Sequence, residues 1–345
     1  MSEQTPEGRA ARADRALGAL LGLAVGDALG MPTQLLPRAV VVERYGAVLA
    51  GFAPAPADHP VAAGLPAGAV TDDTEQAVLL GRALVDGGGR IDPMELARRL
   101  VAWEDRMRTR GSLDLLGPST RRALAALLSG ADPDEAGRSG DTNGAAMRVT
   151  PVGVATPLAA DGGVRALVDA VVAASRLTHN TSVALAGACA VAAAVSAGVD
   201  GADVPTAIDA AVAAAAEGAR HGRWVAAADV GARIRWAVDA VSGRTDAEAC
   251  DLVFRLVGTS LATQESVPAA FALLSLHPAD PWTTCRVAAS VGGDCDTIAA
   301  MAGAVAGACA GAAAFPADAR RTVESVNGLD LAGLAGDLLT LRDAA

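Results

Sequence analysis

Lysine is absent from this 345-residue sequence, and all 28 of its basic residues are arginine. This absence excludes catalysis through a lysine Schiff base, a pyridoxal-phosphate anchor and the lysine of a Walker A phosphate loop. The net charge is −11 and no basic run is present, which argues against binding of nucleic acid through neutralisation of its backbone. We therefore expect a function based on acidic and neutral polar side chains.

Cysteine is also sparse. The five cysteines are odd in number and form no C-x-x-C pair, which predicts reduced thiols in a cytoplasmic protein. No cluster of His and Cys has the spacing of a zinc site, and no G-x-S-x-G motif marks a nucleophile. Cys295 lies between two aspartates. We interpret it as a small spacer, because a soft thiolate and hard carboxylates prefer different metal ions.

Aromatic residues make up only 3% of the chain, although 52% of it is hydrophobic. The apolar content is mostly alanine, with abundant glycine, and this composition favours closely packed helices over sheet. Residues 149–154 come nearest to a strand, and Pro151 argues against one there. We predict an all-α fold in a single domain over residues 1–345, with residues 1–13 flexible.

Apolar periodicity and helix-start residues predict the positions of the helices. The expected helices cover residues 14–29, 38–45, 72–86, 92–106, 118–129, 163–175, 181–197, 204–217, 225–241, 246–257, 267–274, 282–289, 297–314 and 330–341. Residues 298–315 carry no charge and reach the lower limit of a membrane span. Because Gly303, Gly307 and Gly311 recur every four residues, we interpret this stretch as a buried helix packed closely on a neighbour, and we expect no membrane association.

Two acid-rich turns open onto apolar runs, V-T-D-D-T-E at residues 70–75 and G-G-D-C-D-T at residues 292–297. Helix capping explains part of this pattern, since Asp72 and Glu75 have the spacing of a capping box. Two caps need fewer acids than the four present, which are Asp72, Asp73, Asp294 and Asp296. Carboxylates beside threonine hydroxyls are also the ligands that Mg²⁺ takes in proteins. On the residues alone, capping and cation binding both stay open.

Three further polar features are candidates for function. The glycine-rich segment 130–144 leads into T-N-G-A-A-M-R at residues 142–148, which can offer N–H donors to a phosphate or a sugar, although an ordinary turn before a helix is the commoner explanation. His179 lies in a polar step between two apolar helices, where a histidine is more often a local hydrogen-bonding residue than a catalyst. Asp27 is either a structural acceptor for backbone N–H groups or a direct participant.

Five motifs, in this order, resemble those of the ADP-ribosylglycohydrolase family. They are G-L-A-V-G-D-A-L-G at residues 22–30, T-D-D-T at 71–74, T-N-G-A-A-M-R at 142–148, T-H at 178–179 and G-G-D-C-D-T at 292–297. The resemblance implies a compact, orthogonal bundle of helices with a binuclear site for two Mg²⁺ or Mn²⁺ ions at helix amino termini.

The resemblance also implies roles for individual residues. The metal ligands would be Thr71, Asp72, Asp73, Asp294, Asp296 and Thr297. Either Asp73 or Asp294 would take the proton of a metal-bound water. The residues expected to bind substrate are Gln34, Asn143, Gly144, Ala145, Met147, Arg148 and His179.

The reaction implied by the family is hydrolysis of the glycosidic bond between ADP-ribose and an acceptor. Many members carry a glutamate where this chain has Gln34, and an amide cannot transfer a proton as a carboxylate can. A guanidine needs less protonation as a leaving group than an alkoxide, so we expect ADP-ribosyl-arginine on a protein as the substrate. The alternatives are an N-ribosidase for a free nucleoside or nucleotide, a non-catalytic ADP-ribose-binding module, and a helical scaffold with capped ends.

Overall fold

The computed structural model describes residues 5–109, 116–158 and 163–345. Within these ranges the regular structure is helical, and pairing of extended chain is limited to two isolated bridges. The helices of the first half are α1 Pro6–Gly30, α2 Arg38–Tyr45, α3 Asp72–Asp86, α4 Pro93–Thr109, α5 Pro118–Leu128, α6 Pro133–Ala136, α7 Gly144–Arg148, α8 Thr150–Ala155 and α9 Gly163–Ser175. Those of the second half are α10 Ser182–Val199, α11 Val204–Gly218, α12 Val230–Val241, α13 Asp246–Leu252, α14 Thr263–Leu274, α15 Pro281–Ala289, α16 Cys295–Ala310, α17 Ala317–Asn327 and α18 Leu331–Ala344. This architecture agrees with the predicted all-α fold class.

Helices α1 and α16 run antiparallel and pack along each other through glycine. A Cβ atom added at Gly22 would lie 1.9 Å from the carbonyl oxygen of Gly303, and one added at Gly18 would lie 2.2 Å from that of Gly307. No side chain fits between the two backbones, so the helices approach each other closely. At the far end of the contact, Gly30 lies directly against Asp296, and the pair thereby fixes the end of α1 relative to the second acidic turn.

The apolar helices α10 and α16 are core elements. In the described part of the chain, α10 is the one helix long and apolar enough to cross a membrane, and 94% of it is buried inside the protein. Residues 295–308 of α16 are buried as well. The interpretation of residues 298–315 as a buried helix packed on glycine is confirmed, and the helix itself ends at Ala310.

Several elements differ from the prediction. The helices predicted at 225–241, 246–257 and 267–274 are α12 Val230–Val241, α13 Asp246–Leu252 and α14 Thr263–Leu274. Helix α1 begins at Pro6 rather than near residue 14, because the hydroxyl of Thr5 caps it by accepting from the N–H of Gly8. Residues 149–154, weighed as a possible strand, form most of α8. Helix α17 is missing from the prediction because its sequence is polar, and among its residues only Ala319 and Val323 are buried.

Candidate active site

The first acidic turn is held by Asp27, a fully buried residue of α1. Its carboxylate accepts hydrogen bonds from the N–H of Thr71 (3.0 Å), from the N–H of Thr74 (3.1 Å) and from both hydroxyls. Asp27 is therefore a structural acceptor, with partners 44 and 47 residues away. Burial raises the pKa of Asp27 to about 6, and the four hydrogen bonds oppose this rise by stabilising the anion.

The second acidic turn is fixed by backbone contacts. Gly292 and Gly293 have φ angles of +83° and +72°, a region that favours glycine. Gly293 accepts from the N–H of residue 35 (2.6 Å) and donates to the carbonyl of residue 36 (2.9 Å), while the N–H of Asp294 donates to the carbonyl of Thr259 (2.8 Å). A Cβ atom at Gly293 would lie 2.4 Å from that same Thr259 oxygen. The glycines of the motif therefore allow the turn to lie directly on its neighbours.

The acids of the two turns do not cap their helices. Helix α3 begins after Thr71 and helix α16 after Asp294, and neither of these residues makes a side-chain capping hydrogen bond. Glu75, the expected partner in a capping box, instead accepts a hydrogen bond from the indole N–H of Trp103. The capping-box prediction is wrong, and capping does not account for the four carboxylates.

Asp73 is the most strongly perturbed carboxylate of the first turn. It is 1% exposed, and burial raises its pKa well above the ordinary value, with a further rise from the negative charges of Asp296 and Asp72. Its Oδ2 accepts from the hydroxyl of Thr297 (3.2 Å). The hydroxyl of Thr71 lies 3.3 Å from the same oxygen, but its single proton is directed to Asp27 at 2.7 Å. Its Oδ1 is buried and has no hydrogen-bond partner in the described ranges.

The donor set fits a hard divalent cation. Carboxylates and hydroxyls are the ligands that Mg²⁺ and Mn²⁺ prefer, and the unpartnered Oδ1 of Asp73 is a buried acceptor that such an ion would satisfy. In the part of the chain that the structure describes, however, no three His, Cys, Asp or Glu side chains converge closely enough to hold an ion by themselves. A cation here would therefore also need threonine hydroxyls and water as ligands.

The acidic turns line a cavity with a volume of about 270 Å³. Nine of the predicted site residues line it, namely Gln34, Asp72, Asn143, Gly144, Met147, His179, Asp294, Asp296 and Thr297. The other four, Thr71, Asp73, Ala145 and Arg148, are buried but not part of the lining. A larger groove of about 530 Å³ between α3 and α4 contains none of the predicted residues. The structure therefore gathers most of the predicted site around one cavity.

The cavity also has lining residues that sequence reasoning missed. They include Leu35, Val61, Thr120, Arg121 and Leu261. Most of them lie in connections or helix starts whose local sequence carries no chemical motif. The first turn of α5 supplies Arg121 together with a helix amino terminus that has no side-chain cap. Both features favour a negatively charged group, so this end of the cavity suits an anion such as a phosphate.

The two ends of the short helix α7 reach the two acidic turns. At its start, Nδ2 of Asn143 donates to Oδ2 of Asp294 at 2.6 Å. At its end, Nη1 of Arg148 donates to Oε1 of Gln76 at 3.2 Å, and Nε2 of Gln76 donates to Asp72 at 2.7 Å. The predicted substrate contact by Arg148 does not fit this placement, because its guanidinium points into the protein and is used to join helices.

Ala145, also predicted to bind substrate, is 1% exposed and lies outside the cavity lining. The neighbouring Gly144 and Met147 do line the cavity. A helical turn presents only part of its circumference to one side, so α7 directs some of its residues to the cavity and the rest to the core. The motif thus contains both lining and supporting residues.

His179 is buried, and its ring forms part of the cavity wall. Its Nε2 lies 3.1 Å from the hydroxyl of Thr142, and its Nδ1 lies 2.8 Å from that of Thr178. Burial lowers the pKa of His179 well below its ordinary value, and the positive charge of Arg148 adds to the decrease. The imidazole is therefore neutral at pH 7. Gly144 makes room for it, since a Cβ atom there would lie 2.9 Å from the ring.

Comparison with known proteins identifies the family. The sequence matches the ADP-ribosylglycohydrolase family over residues 8–345. This chain is a member of the ADP-ribosylglycohydrolase family. The matched range contains every site residue described above, and the names of the family and of two relatives point to a glycohydrolase.

Three relatives match different shares of this chain. The protein YegU of Escherichia coli strain K12 is 36% identical over 332 residues, which are 96% of this chain and 98% of YegU. The ADP-ribosyl-(dinitrogen reductase) glycohydrolase of Rhodospirillum rubrum is 34% identical over 173 residues, 48% of this chain and 52% of the relative. The ADP-ribosylarginine hydrolase Tri1 of Pseudomonas putida strain GB-1 is 33% identical over 150 residues, 41% of this chain and 36% of Tri1.

A solved structure supports the same family at the level of the fold. The structure titled "ADP-ribosylglycohydrolase-related protein complex" matches with a TM-score of 0.67 and 27% sequence identity. The match covers 96% of this chain and 99% of the other. The helical architecture of this chain is therefore shared along nearly its whole length.

Gln34 contributes to the cavity lining a buried polar group without a partner among the described residues. The residue is 5% exposed, its main-chain carbonyl lies 3.0 Å from Nε2 of His59, and its side-chain Nε2 has no hydrogen-bond partner in the described residues. A buried donor without a partner costs about 1–3 kcal/mol. An oxygen atom of a bound ligand would relieve this cost, so the amide is a candidate binding group.

Proposed function

We propose that this ADP-ribosylglycohydrolase uses two Mg²⁺ or Mn²⁺ ions to cleave the N-glycosidic bond between ADP-ribose and an arginine side chain of a modified protein. The observation that carries the proposal is the meeting of the two acidic turns beside one cavity. They are joined by the hydrogen bond from the Thr297 hydroxyl to Asp73, across 224 residues of sequence. Buried carboxylates at this density need a neutralising partner, and divalent cations are the partner that suits them.

The cations would be held by Thr71, Asp72, Asp73, Asp294, Asp296 and Thr297. When bound, they would polarise the ribose hydroxyls and lower the pKa of a water molecule. The unpartnered Oδ1 of Asp73 supports this assignment because it is a buried acceptor without a donor in the described residues. The protein would supply the remaining functions, which are proton transfer, orientation of the sugar and binding of the diphosphate.

Of the two expected proton acceptors, Asp294 is the better placed. Asp294 lines the cavity, whereas Asp73 does not. The amide of Asn143 donates to Oδ2 of Asp294 and fixes the orientation of its carboxylate. Burial raises the pKa of Asp294 to about 6, and a bound cation would lower it again by stabilising the charged carboxylate. The water that attacks the anomeric carbon would transfer its proton to Asp294.

The chemistry of the leaving group supports arginine as the acceptor. The guanidinium of the substrate already carries its proton and would leave as a neutral guanidine, so the enzyme need not supply an acid. This agrees with Gln34, whose amide has no proton to transfer. The name of the relative Tri1 designates an ADP-ribosylarginine hydrolase, and its 33% identity over 41% of this chain supports the same acceptor here.

The diphosphate of ADP-ribose would bind at the start of α5. Thr120 and Arg121 line the cavity at this point, beside the uncapped amino terminus of the helix. A helix amino terminus presents free N–H groups and a partial positive charge to an anion. The cavity would thus be acidic where the ribose and arginine lie and positive where the diphosphate lies.

The test is release of free ADP-ribose from ADP-ribosyl-arginine, measured with Mg²⁺ or Mn²⁺ and again with EDTA. We expect release that requires metal and that falls at least about 100-fold in Asp294→Asn, because the variant loses its proton acceptor. Asp203→Asn is the control, since Asp203 caps α11 at the surface and asparagine caps as well as aspartate. A folded wild type that releases no ADP-ribose with either metal would contradict the proposal.

The same assay separates the alternatives. Release of a base from a free nucleoside, without release of ADP-ribose from arginine, would indicate an N-ribosidase. Saturable binding of ADP-ribose without turnover would indicate a non-catalytic binding module. Binding of neither metal nor ADP-ribose, detected as an unchanged melting temperature, would indicate a helical scaffold.

A further inference from the structure

Arg148 is buried beneath the cavity and connects two parts of the site. It is 1% exposed, and it is the largest of the fully buried side chains. Its Nη1 donates to Gln76 and its Nη2 donates to Thr178. Burial lowers the pKa of Arg148 to about 10, so the guanidinium keeps its charge at neutral pH. The two terminal nitrogens therefore act only as donors.

The branch through Gln76 ends on the first acidic turn. A glutamine amide has two orientations, which exchange its donor and its acceptor. Because the guanidinium only donates, Oε1 of Gln76 must face Arg148, at a distance of 3.2 Å. The amide nitrogen then faces Asp72 and donates to its Oδ2 at 2.7 Å. Arg148 thereby selects the orientation of Gln76 that holds the carboxylate of Asp72.

The branch through Thr178 ends on His179. The hydroxyl of Thr178 accepts from Arg148 and has a single proton of its own to donate. That proton is directed to Nδ1 of His179 at 2.8 Å, since the other acceptor, the carbonyl of Ser175, is 3.4 Å away. With Nδ1 accepting, the proton of the neutral ring lies on Nε2, on the side of Thr142.

The forked shape of arginine is needed for both branches. A guanidinium places its donors in a rigid plane, so that two of its nitrogens reach one partner on a helix and another in a turn. Gln76 belongs to α3, and Thr178 precedes α10. A lysine ammonium is a single point charge on a flexible stem and does not reproduce this geometry. A change from arginine to lysine would therefore keep the charge and lose the connection.

We propose that Arg148 is a positioning residue with two effects, which are to hold Asp72 as a metal ligand and to fix His179 as the tautomer that carries its proton on Nε2. His179 then donates from Nε2 to the hydroxyl of Thr142, which also lines the cavity, and thereby fixes how that hydroxyl faces the cavity. The effect on Asp72 rests on the proposed function, because it assumes a metal. The effect on His179 does not depend on it.

The test uses three variants and two readouts that do not measure catalysis. Calorimetry gives the affinity for Mn²⁺ alone, and ¹⁵N NMR of the histidine rings gives the tautomer of His179, assigned among the four histidines by its loss in His179→Gln. We expect Gln76→Met to weaken Mn²⁺ binding about tenfold and to leave the tautomer unchanged. Thr178→Val should change the tautomer signals and leave Mn²⁺ binding unchanged. Arg148→Lys should both weaken Mn²⁺ binding and change the tautomer signals.

A double variant and a control make the outcome decisive. If Arg148 acts on Asp72 through Gln76, then adding Arg148→Lys to Gln76→Met causes no further loss of Mn²⁺ affinity. Arg342→Lys is the control, because Arg342 is also buried and binds Ser196 and Asp200 away from the cavity. It should lower the melting temperature and leave both readouts unchanged.

The proposal is overturned if Arg148→Lys lowers only the melting temperature, as Arg342→Lys does, or if its effect on Mn²⁺ affinity adds to that of Gln76→Met. Failure of the wild type to bind Mn²⁺ would overturn the effect on Asp72, and unchanged tautomer signals in Arg148→Lys would overturn the effect on His179. A wild type that binds Mn²⁺ and shows the expected variant pattern, but releases no ADP-ribose from arginine, would contradict the proposed function and support the positioning role.

Discussion

The carboxylate of Asp27 accepts hydrogen bonds from both the N–H and the hydroxyl of Thr71, 44 residues further along the chain. The start of α3 is thereby attached to α1, the helix that packs on α16. The first acidic turn is consequently part of the core, although its sequence is that of a polar connection.

Replacing Asp27 by asparagine should detach this turn. Asparagine has the same size, but it replaces one acceptor oxygen with an NH₂ group that faces the donors of Thr71 and Thr74. We expect a loss of about 2–4 kcal/mol in the free energy of unfolding, measured with urea, because buried donors are left without an acceptor. Asp14→Asn, in the same helix but nearer the surface, should lose less than about 1 kcal/mol. Equal losses in the two variants would contradict the role of Asp27.

Gly30→Ala should disturb the second acidic turn. The added Cβ would lie 2.3 Å from the Cα of Asp296, and backbone on both sides leaves no room for it. We expect a loss of about 3 kcal/mol in the free energy of unfolding, together with weaker Mn²⁺ binding. Gly336→Ala in α18 is the control, because no atom lies within 4 Å of its Cβ position. That change should stabilise the protein by up to about 1 kcal/mol, since alanine is the better helix former. The prediction is contradicted if both substitutions change the free energy of unfolding in the same direction.

The stability of the metal-free protein should depend on the ionisation of Asp294. Burial raises its pKa from 3.8 to about 6, so the folded state binds this proton more tightly than the unfolded chain does. The free energy of unfolding should therefore fall as the pH rises from about 4 to 6, by on the order of 3 kcal/mol for this group. Asp294→Asn removes the contribution, so in EDTA the variant should be more stable than the wild type at pH 7, with the difference narrowing towards pH 4.

Urea unfolding in EDTA at several pH values checks this expectation. The lowered pKa of His179 acts in the opposite direction, since it removes stability as the pH falls below about 6.5. His179 is present in both proteins, so its contribution cancels in the difference. A difference between wild type and variant that stays constant with pH would contradict the raised pKa of Asp294.

Asn143→Asp should impair catalysis more than binding. The change replaces the amide that donates to Asp294 with a second carboxylate at hydrogen-bond distance. Like charges at this distance turn the carboxylate of Asp294 away or keep it protonated. We expect kcat for ADP-ribose release to fall about 10- to 100-fold with a smaller change in KM. Ser266→Ala removes only the other acceptor of the same amide and should change kcat by less than about threefold. Equal effects would indicate that Asn143 is merely structural.

Local sequence pattern was sufficient for the long helices and for the acidic turns. Apolar periodicity predicted α3 and α16 because their buried faces repeat along the sequence. Helix α17 was missed because it buries little, and α8 because its Val and Pro residues do not indicate a helix. The acidic turns stood out as candidate metal ligands by their density of carboxylates, and that role stays a prediction.

The supporting residues of the site could not be predicted in the same way. The partners of Asp27 lie 44 and 47 residues away, and the inward direction of Arg148 depends on the packing of α7 between α3 and α10. Neither fact leaves a periodic signal in the neighbouring residues. The capping-box prediction failed for the same reason, since Trp103 in α4 takes Glu75 as its hydrogen-bond partner.

The glycine contact between α1 and α16 has a consequence for biosynthesis. The two helices lie far apart in the sequence. Gly30, the last residue of α1, and Cys295, the first residue of α16, are 265 positions apart. On the ribosome, α1 emerges long before the helix that covers its glycine face. A nascent chain that stops before residue 292 has no second acidic turn and leaves that face exposed. Incomplete translation products should therefore be inactive and prone to aggregation until α16 has emerged.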